Sequence, residues 1–324
     1  MTYWRHVVLA AGLTLTLAGT AGAQEQVTLK LGHLANEQNV WHKASLKFAE
    51  EAKALSNGTI NVEVYPNEQL GKEMDVIGGI QLGSADMTIT GESLQNWAPS
   101  AALLAVPYAI RDLDHLDAVA GGPIGKKIED EIREKAGLRP IAYFARGPRD
   151  LTSNRPIKTP DDLNGLRLRV PNVPLFVDVW SALGAKPTPM AFSEVFTSLQ
   201  SHTIDAQENP LSLIQSASFY EVQKDVNLTE HVRSWIYLVI GENRFQGLTK
   251  EQQDAVLEAG KRAQAYERDL FLKDEEQLKQ DLKDKGMTFV EVDQDAFAKK
   301  AEPAVRASLP KDILPLYEEI LNTK

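Results

Sequence analysis

Two arginines in this chain stand where they could grip an anion. Arg149 lies in Ala-Arg-Gly-Pro-Arg-Asp-Leu and Arg169 in Leu-Arg-Leu-Arg-Val-Pro. Alternation through the second stretch puts Leu166, Leu168 and Val170 on packing faces, so an arginine in that register is costly unless an anion meets it. That anion is either a ligand carboxylate or one of the 45 acidic side chains of the protein. Asn209 follows Ile-Asp-Ala-Gln-Glu and precedes Pro210, at a strand end where its amide can donate and accept at once. Capping the next helix is an equally natural use for it. Phe192, just before a helix start, reads as core or as a wall of a site. His33 and the run Gly91, Glu92, Ser93 fall at the carboxyl ends of expected strands.

Enzyme signatures are missing. There is no Gly-x-Ser-x-Gly, no His-Glu-x-x-His, no phosphate loop and no Gly-x-Gly-x-x-Gly after a strand, and the six histidines do not cluster. Asp112, Asp114, His115 and Asp117 lack the glycine a calcium loop needs and read as a helix start, so no metal and no cofactor are expected. With no cysteine, disulfides, Cys-type zinc sites and thiol nucleophiles are excluded. The chain opens with Arg5, an uncharged apolar run from Val7 to Gly19, and Ala21-Gly22-Ala23, the pattern of a cleaved secretory signal over 1–23. The apolar run is too short to span a bilayer. Without that segment 34 Lys and Arg face 45 Asp and Glu, a net charge of −11 that argues against nucleic acid as a partner.

Positioning these residues falls to an alternation of strands and helices. Strands are expected over 27–31, 59–65 and 86–90, with helices over 41–55 and 72–82 between them. A helix over 113–136 and a strand over 139–144 follow. The rhythm then restarts with a short helical turn at 160–163, strands at 166–170 and 186–188, helices at 175–183 and 193–200, and a strand end at 204–207. This predicts two α/β lobes with ligands beyond the carboxyl ends of the strands. Thr249 with Gln252 forms a capping box, and no proline interrupts the chain before Gly286. A helix of that length reaches on the order of 50 Å, so it should run across both lobes. Trp41, Trp97, Trp180 and Trp235 read as core or interface.

Three ordered stretches carry a resemblance: Gly165-Leu-Arg-Leu-Arg169-Val-Pro-Asn172, Leu183-Gly-Ala-Lys-Pro-Thr-Pro-Met-Ala-Phe192, and Ile204-Asp-Ala-Gln-Glu-Asn209-Pro210. Together they resemble the DctP-type solute-binding proteins of tripartite ATP-independent periplasmic (TRAP) transporters. The likeness covers essentially the whole chain after the signal. It implies a two-lobed periplasmic binding fold, each lobe a mixed sheet flanked by helices, with lobe I over 24–147 and 236–275 and lobe II over 148–235 and 276–324. It implies that Arg169 grips a ligand carboxylate with two prongs, that Asn209 and Arg149 assist, and that Phe192 packs on the bound group. Glu92 matches a glutamate that bonds ligand hydroxyls in sialic-acid-binding relatives, and Asn172 is shared with them. Gln95 and Leu34 depart from those relatives, which carry arginine and asparagine there. Glu92, Gln95 and Asn172 favour a polyhydroxylated acid such as a hexuronate or aldonate, with sialic acid or a simple carboxylate as alternatives. The implied partners are a small carboxylate and membrane permease subunits, the implied protein a monomeric binder. An exported lyase or a sensor module remains the rival class. Closure by hinge bending, with flexure of the long helix near Leu270–Asp274, completes the expectation.

Overall fold

The structure is a computed structural model that describes residues 26–324; the expected signal segment, 1–23, lies outside the described residues. The first strand-helix units form as their patterns require. Along β1 (Val27–Gly32) Leu29 and Leu31 are buried while Thr28 and Lys30 face water. α1 (Val40–Leu55) starts where the Asn39 side chain accepts from Trp41 N, and it buries Val40, Ala44, Phe48 and Ala52 along one stripe. β2 (Ile60–Tyr65), α2 (Glu73–Leu82) and β3 (Met87–Thr90) follow.

The single helix expected over 113–136 is broken. Gly121, Gly122 and Pro123 separate α3 (Leu113–Ala120) from α4 (Pro123–Glu131). Pro123 has no N–H to continue a helix and instead opens the next one, and a Cβ on Gly122 would sit 2.3 Å from the Ala118 carbonyl oxygen. Asp112 caps α3 by accepting from His115 N, so the acidic run around it is a helix start.

The strand expected over 139–144 is much longer. β4 (Leu138–Ser153) passes from one lobe into the other. After it come β5 (Arg167–Val170), α5 (Pro174–Leu183), β6 (Lys186–Pro189), α6 (Val195–Gln200), β7 (Ala206–Pro210) and α7 (Leu211–Ser216). β8 (Asp225–Gly241), a second crossing strand, pairs antiparallel with β4. The chain ends with α8 (Glu242–Gln246), α9 (Lys250–Asp284), β9 (Thr288–Val290), α10 (Gln294–Ser308) and α11 (Leu314–Asn322).

One sheet in the order β2-β1-β3-β8-β4-β7-β5-β6 joins the lobes, with β9 beside β8. Parallel β1, β2 and β3 lie on the far end of β8, and parallel β5, β6 and β7 lie beyond the far end of β4. The β4–β8 register slips between Arg146 and Arg149, where Pro148 has no N–H to give the ladder. α9 spans both lobes as its length requires. Val256, Ala259 and Ala263 pack into the core under β1, β3 and α1, whereas Leu278 and Leu282 pack with α6 and α7. The C-terminal segment also touches both lobes. α10 lies on α5, but in α11 Glu319 pairs with Lys127 and the Ile320 carbonyl meets His115 Nε2 at 2.9 Å, both in the first lobe. Among the described residues no helix is long and apolar enough to cross a membrane.

Candidate functional site

A cavity of about 340 Å³ lies between the lobes, beside the slip in β4. Strand ends deliver its polar groups. β3 hands on to Glu92 and Ser93, β5 ends through Arg169 toward Asn172, β6 toward Met190 and Phe192, and β7 carries Asn209. Parallel strands with helices behind them leave such a crevice beyond their carboxyl ends.

Arg169 is 3 % exposed. Its Nε and Nη2 both donate to the Met190 carbonyl oxygen, at 3.1 and 2.7 Å, and no carboxylate lies in salt-bridge reach among the described residues. That grip fixes one side of the guanidinium and leaves the Nη1 side with donors for a ligand. Burial pushes this guanidinium down to about 10, against the pull of Glu208, so it stays charged at neutral pH. The Phe192 ring centroid stands 6.0 Å from Arg169 Cζ and is braced edge-on by Phe219.

The other arginines are already paired. Arg149 donates to both carboxylate oxygens of Glu208, at 2.6 and 2.7 Å, and approaches Glu92 at 3.6 Å with Nη1. Burial pushes Glu208 up, but Arg149 and His231 more than reverse this and hold it at about 2. Arg146 donates to both oxygens of Glu92, at 3.2 and 2.5 Å, and to Ser234 Oγ. Burial raises Glu92 as well, and the charges of Arg146 and Arg149 outweigh it, leaving the carboxyl below its ordinary range. Arg146 and Arg149 are thus paired with buried acids, and Arg169 is the buried arginine of the site without an ion pair among the described residues, with Glu208, Glu73 and Glu68 acting on it only at longer range.

Six of the expected residues line this cavity: Glu92, Arg149, Arg169, Asn172, Phe192 and Asn209. Asn209 donates to Gln207 Oε1 at 2.6 Å, which fixes its amide plane. His33 and Gln95 do not line it. His33 is buried against His42 at 3.1 Å, and burial lowers its pKa to about 3. Gln95 accepts from Leu175 N at 3.5 Å across the cleft edge. Glu92 is a partner of Arg146 before it is an acceptor for anything else, so a bare carboxylate repelling a second ligand charge overstates it.

Sequence reasoning passed over several lining groups. Arg146 sits two residues before Pro148, where the bulge disturbs alternation and hides which face it takes. Glu73 accepts from Thr90 Oγ1 and Ser93 Oγ, at 2.6 and 2.9 Å, and burial raises its carboxyl. Trp41 and Glu68 also face the space. Glu68 belongs to a turn in which Asn67 and Glu68 both adopt left-handed φ, 54° and 55°.

Residues 31–312 match the family model for bacterial extracellular solute-binding protein, family 7. The chain belongs to this family. Within family 7, the chain is 33 % identical to the 2,3-diketo-L-gulonate-binding periplasmic protein of Escherichia coli, over 95 % of this chain and 94 % of that one. The fold is similar to a TRAP periplasmic solute-binding protein of Roseobacter denitrificans solved with bound L-galactonate. The TM-score is 0.91 and the identity 62 %, covering 93 % of this chain and 100 % of that one. A second TRAP binding protein, from Sulfitobacter sp. NAS-14.1 with bound β-D-galacturonate, matches at a TM-score of 0.89 and 27 % identity, over 91 % and 100 % of the two chains. Family 7 proteins serve transport as periplasmic solute carriers, and the two-lobed fold with its spanning helix is theirs.

Proposed function

We propose that this protein captures a sugar acid of the aldonate or hexuronate type in the periplasm and hands it, unaltered, to the membrane permease subunits of a TRAP transporter. The observation that carries the reading is the buried, uncompensated charge of Arg169 facing a cavity lined by Glu68, Glu73, Glu92, Asn172 and Asn209. A ligand carboxylate meets Arg169 and Asn209, and hydroxyls meet the acids and amides opposite. A cavity of about 340 Å³ falls at the small end of ordinary ligand sites and suits a single small acid. The L-galactonate, galacturonate and diketogulonate binders among its relatives support the same ligand class.

On this reading residues 1–23 are removed on export, and the protein acts as a monomeric carrier, not an enzyme. Residues 24–147 and 236–275 form lobe I and residues 148–235 and 276–324 lobe II, with α11 returning to brace lobe I. Calorimetry with L-galactonate, D-galacturonate, D-glucuronate, sialic acid and succinate is the test. Sugar monoacids should bind, succinate should bind far more weakly, and the bound acid should be recovered chemically intact. Tighter binding of succinate than of any sugar acid, or turnover of the bound acid, would overturn the reading.

A further inference from the structure

Glu68 is held in an unfavourable backbone conformation, and its carboxylate meets no partner at ordinary hydrogen-bond geometry. It and Asn67 have φ of 55° and 54°, a region that glycine and asparagine enter readily and glutamate does not. The turn is over-determined by its surroundings. Asn67 N donates to the Ala35 carbonyl at 3.0 Å, Glu68 N to the His33 carbonyl at 3.1 Å, and Gly71 N to the Glu68 carbonyl at 2.9 Å. These bonds belong to the backbone, so the turn itself gives no reason for a carboxylate.

That carboxylate lines the cavity with both oxygens buried and without a hydrogen bond of ordinary geometry, Ser193 of the opposite lobe lying alongside. A buried polar group left open costs free energy, and such strain and dissatisfaction concentrate where a ligand repays them. Glu68 and Arg169 feel each other's charge but form no ion pair. The gap between them is part of the cavity, so a carboxylate on Arg169 brings its neighbouring carbon toward Glu68. Burial also raises the Glu68 carboxyl, against the pull of Ser193, Lys72 and Arg169.

Resting on the ligand class proposed above, we propose that Glu68 is a specificity-determining residue that accepts a hydrogen bond from the hydroxyl on the carbon next to the ligand carboxylate. Within that class the protein then favours aldonates, which carry this hydroxyl, over ring-form hexuronates, whose carbon next to the carboxylate bears the ring oxygen instead. An acid without that hydroxyl leaves Glu68 buried and open, and one with a second carboxylate there meets its charge. Glu92 is less free for this duty, because Arg146 donates to both of its oxygens and fixes their plane.

The test is a double-mutant cycle between protein and ligand, using L-galactonate and 2-deoxy-L-galactonate against wild type, Glu68→Gln and Glu68→Ala. Wild type should bind L-galactonate about ten- to a hundredfold more tightly than the 2-deoxy acid. Both variants should lose most of that preference, binding L-galactonate more weakly and the 2-deoxy acid no worse than wild type does. Their melting temperatures without ligand should not fall below wild type, since the buried carboxylate costs the fold more than it supports. Equal weakening toward both acids, or unchanged or tighter binding of L-galactonate, would overturn the assignment. The last result would make Glu68 a competitor for Arg169 instead. If wild type binds no sugar acid at all, the ligand class itself fails and this assignment falls with it.

Discussion

Replacing Arg169 by alanine removes the one arginine of the site that has no ion pair with the protein, and so it should abolish ligand binding while sparing the fold. Arg149 and Arg146 cannot substitute, because each is held by two hydrogen bonds to its own glutamate. Truncating one partner of a buried charge pair costs about 3–5 kcal/mol, or more than about a hundredfold in affinity. Arg169→Lys should fail nearly as badly. An ammonium keeps the charge but cannot hold the Met190 carbonyl and a two-oxygen ligand in one plane. Calorimetry with L-galactonate checks both variants, and binding within about threefold of wild type would remove Arg169 from the centre of the site. The sequence pattern marks this position as an arginine needing an anion and leaves a ligand carboxylate and a protein acid both open; the choice of the ligand rests on the family resemblance. The pairings of its neighbours were not legible in sequence. Glu92 lies 54 residues from Arg146 and Glu208 lies 59 from Arg149, and no local pattern reports a contact across that distance.

At the scale of elements, α9 hides another buried acid, away from the cavity. Glu267 is fully buried on the face that packs against Ala145 of β4, and both of its carboxylate oxygens lack partners. Burial pushes its carboxyl up to about 8, against the weaker pulls of Arg268 and the Ala145 backbone. An acid raised in the folded state keeps its proton there while the unfolded chain has already released it. Stability is therefore complete below the unfolded value near 4.5 and falls as pH rises toward about 8. Glu267→Gln should leave stability at pH 4 nearly unchanged and raise it at pH 8, by on the order of 3 kcal/mol. Urea denaturation at the two pH values measures this, and an equal effect at both would mean that Glu267 is ionised in the fold. The length of α9 was readable from its capping box and unbroken spacing. The need for Gly260 was not, because it arises from tertiary contact: a Cβ there would lie 2.7 Å from the Ile141 carbonyl oxygen. β8 escaped sequence reading for a related reason. Its run from Trp235 to Ile240 is buried on both faces and shows no alternation.

Whole-molecule behaviour follows from what opposes closure of the cleft when no ligand is present. Across the cleft edge, Lys72 meets Glu194 at 2.8 Å and Asn96 Nδ2 donates to the Asn172 carbonyl at 2.9 Å. The ion pair is half exposed on both sides, and such pairs contribute about 0–1 kcal/mol in water. Opposing them, closure without an anion buries Arg169 uncompensated. A carboxylate ligand removes that penalty only in the closed form, so it binds the closed form far better and must shift the population toward it. The radius of gyration from small-angle scattering should fall when L-galactonate saturates the wild-type protein, and should not fall for Arg169→Ala at the same concentration. The melting temperature should rise in parallel, since free ligand at about 100 times its dissociation constant adds about 2.7 kcal/mol to the folded state. Stabilisation with an unchanged radius of gyration would mean that the cleft is shut before the acid arrives. The charge of Arg169 would then have to be met in the free protein by another anion, and Glu68 is the cavity acid whose oxygens are open to do so.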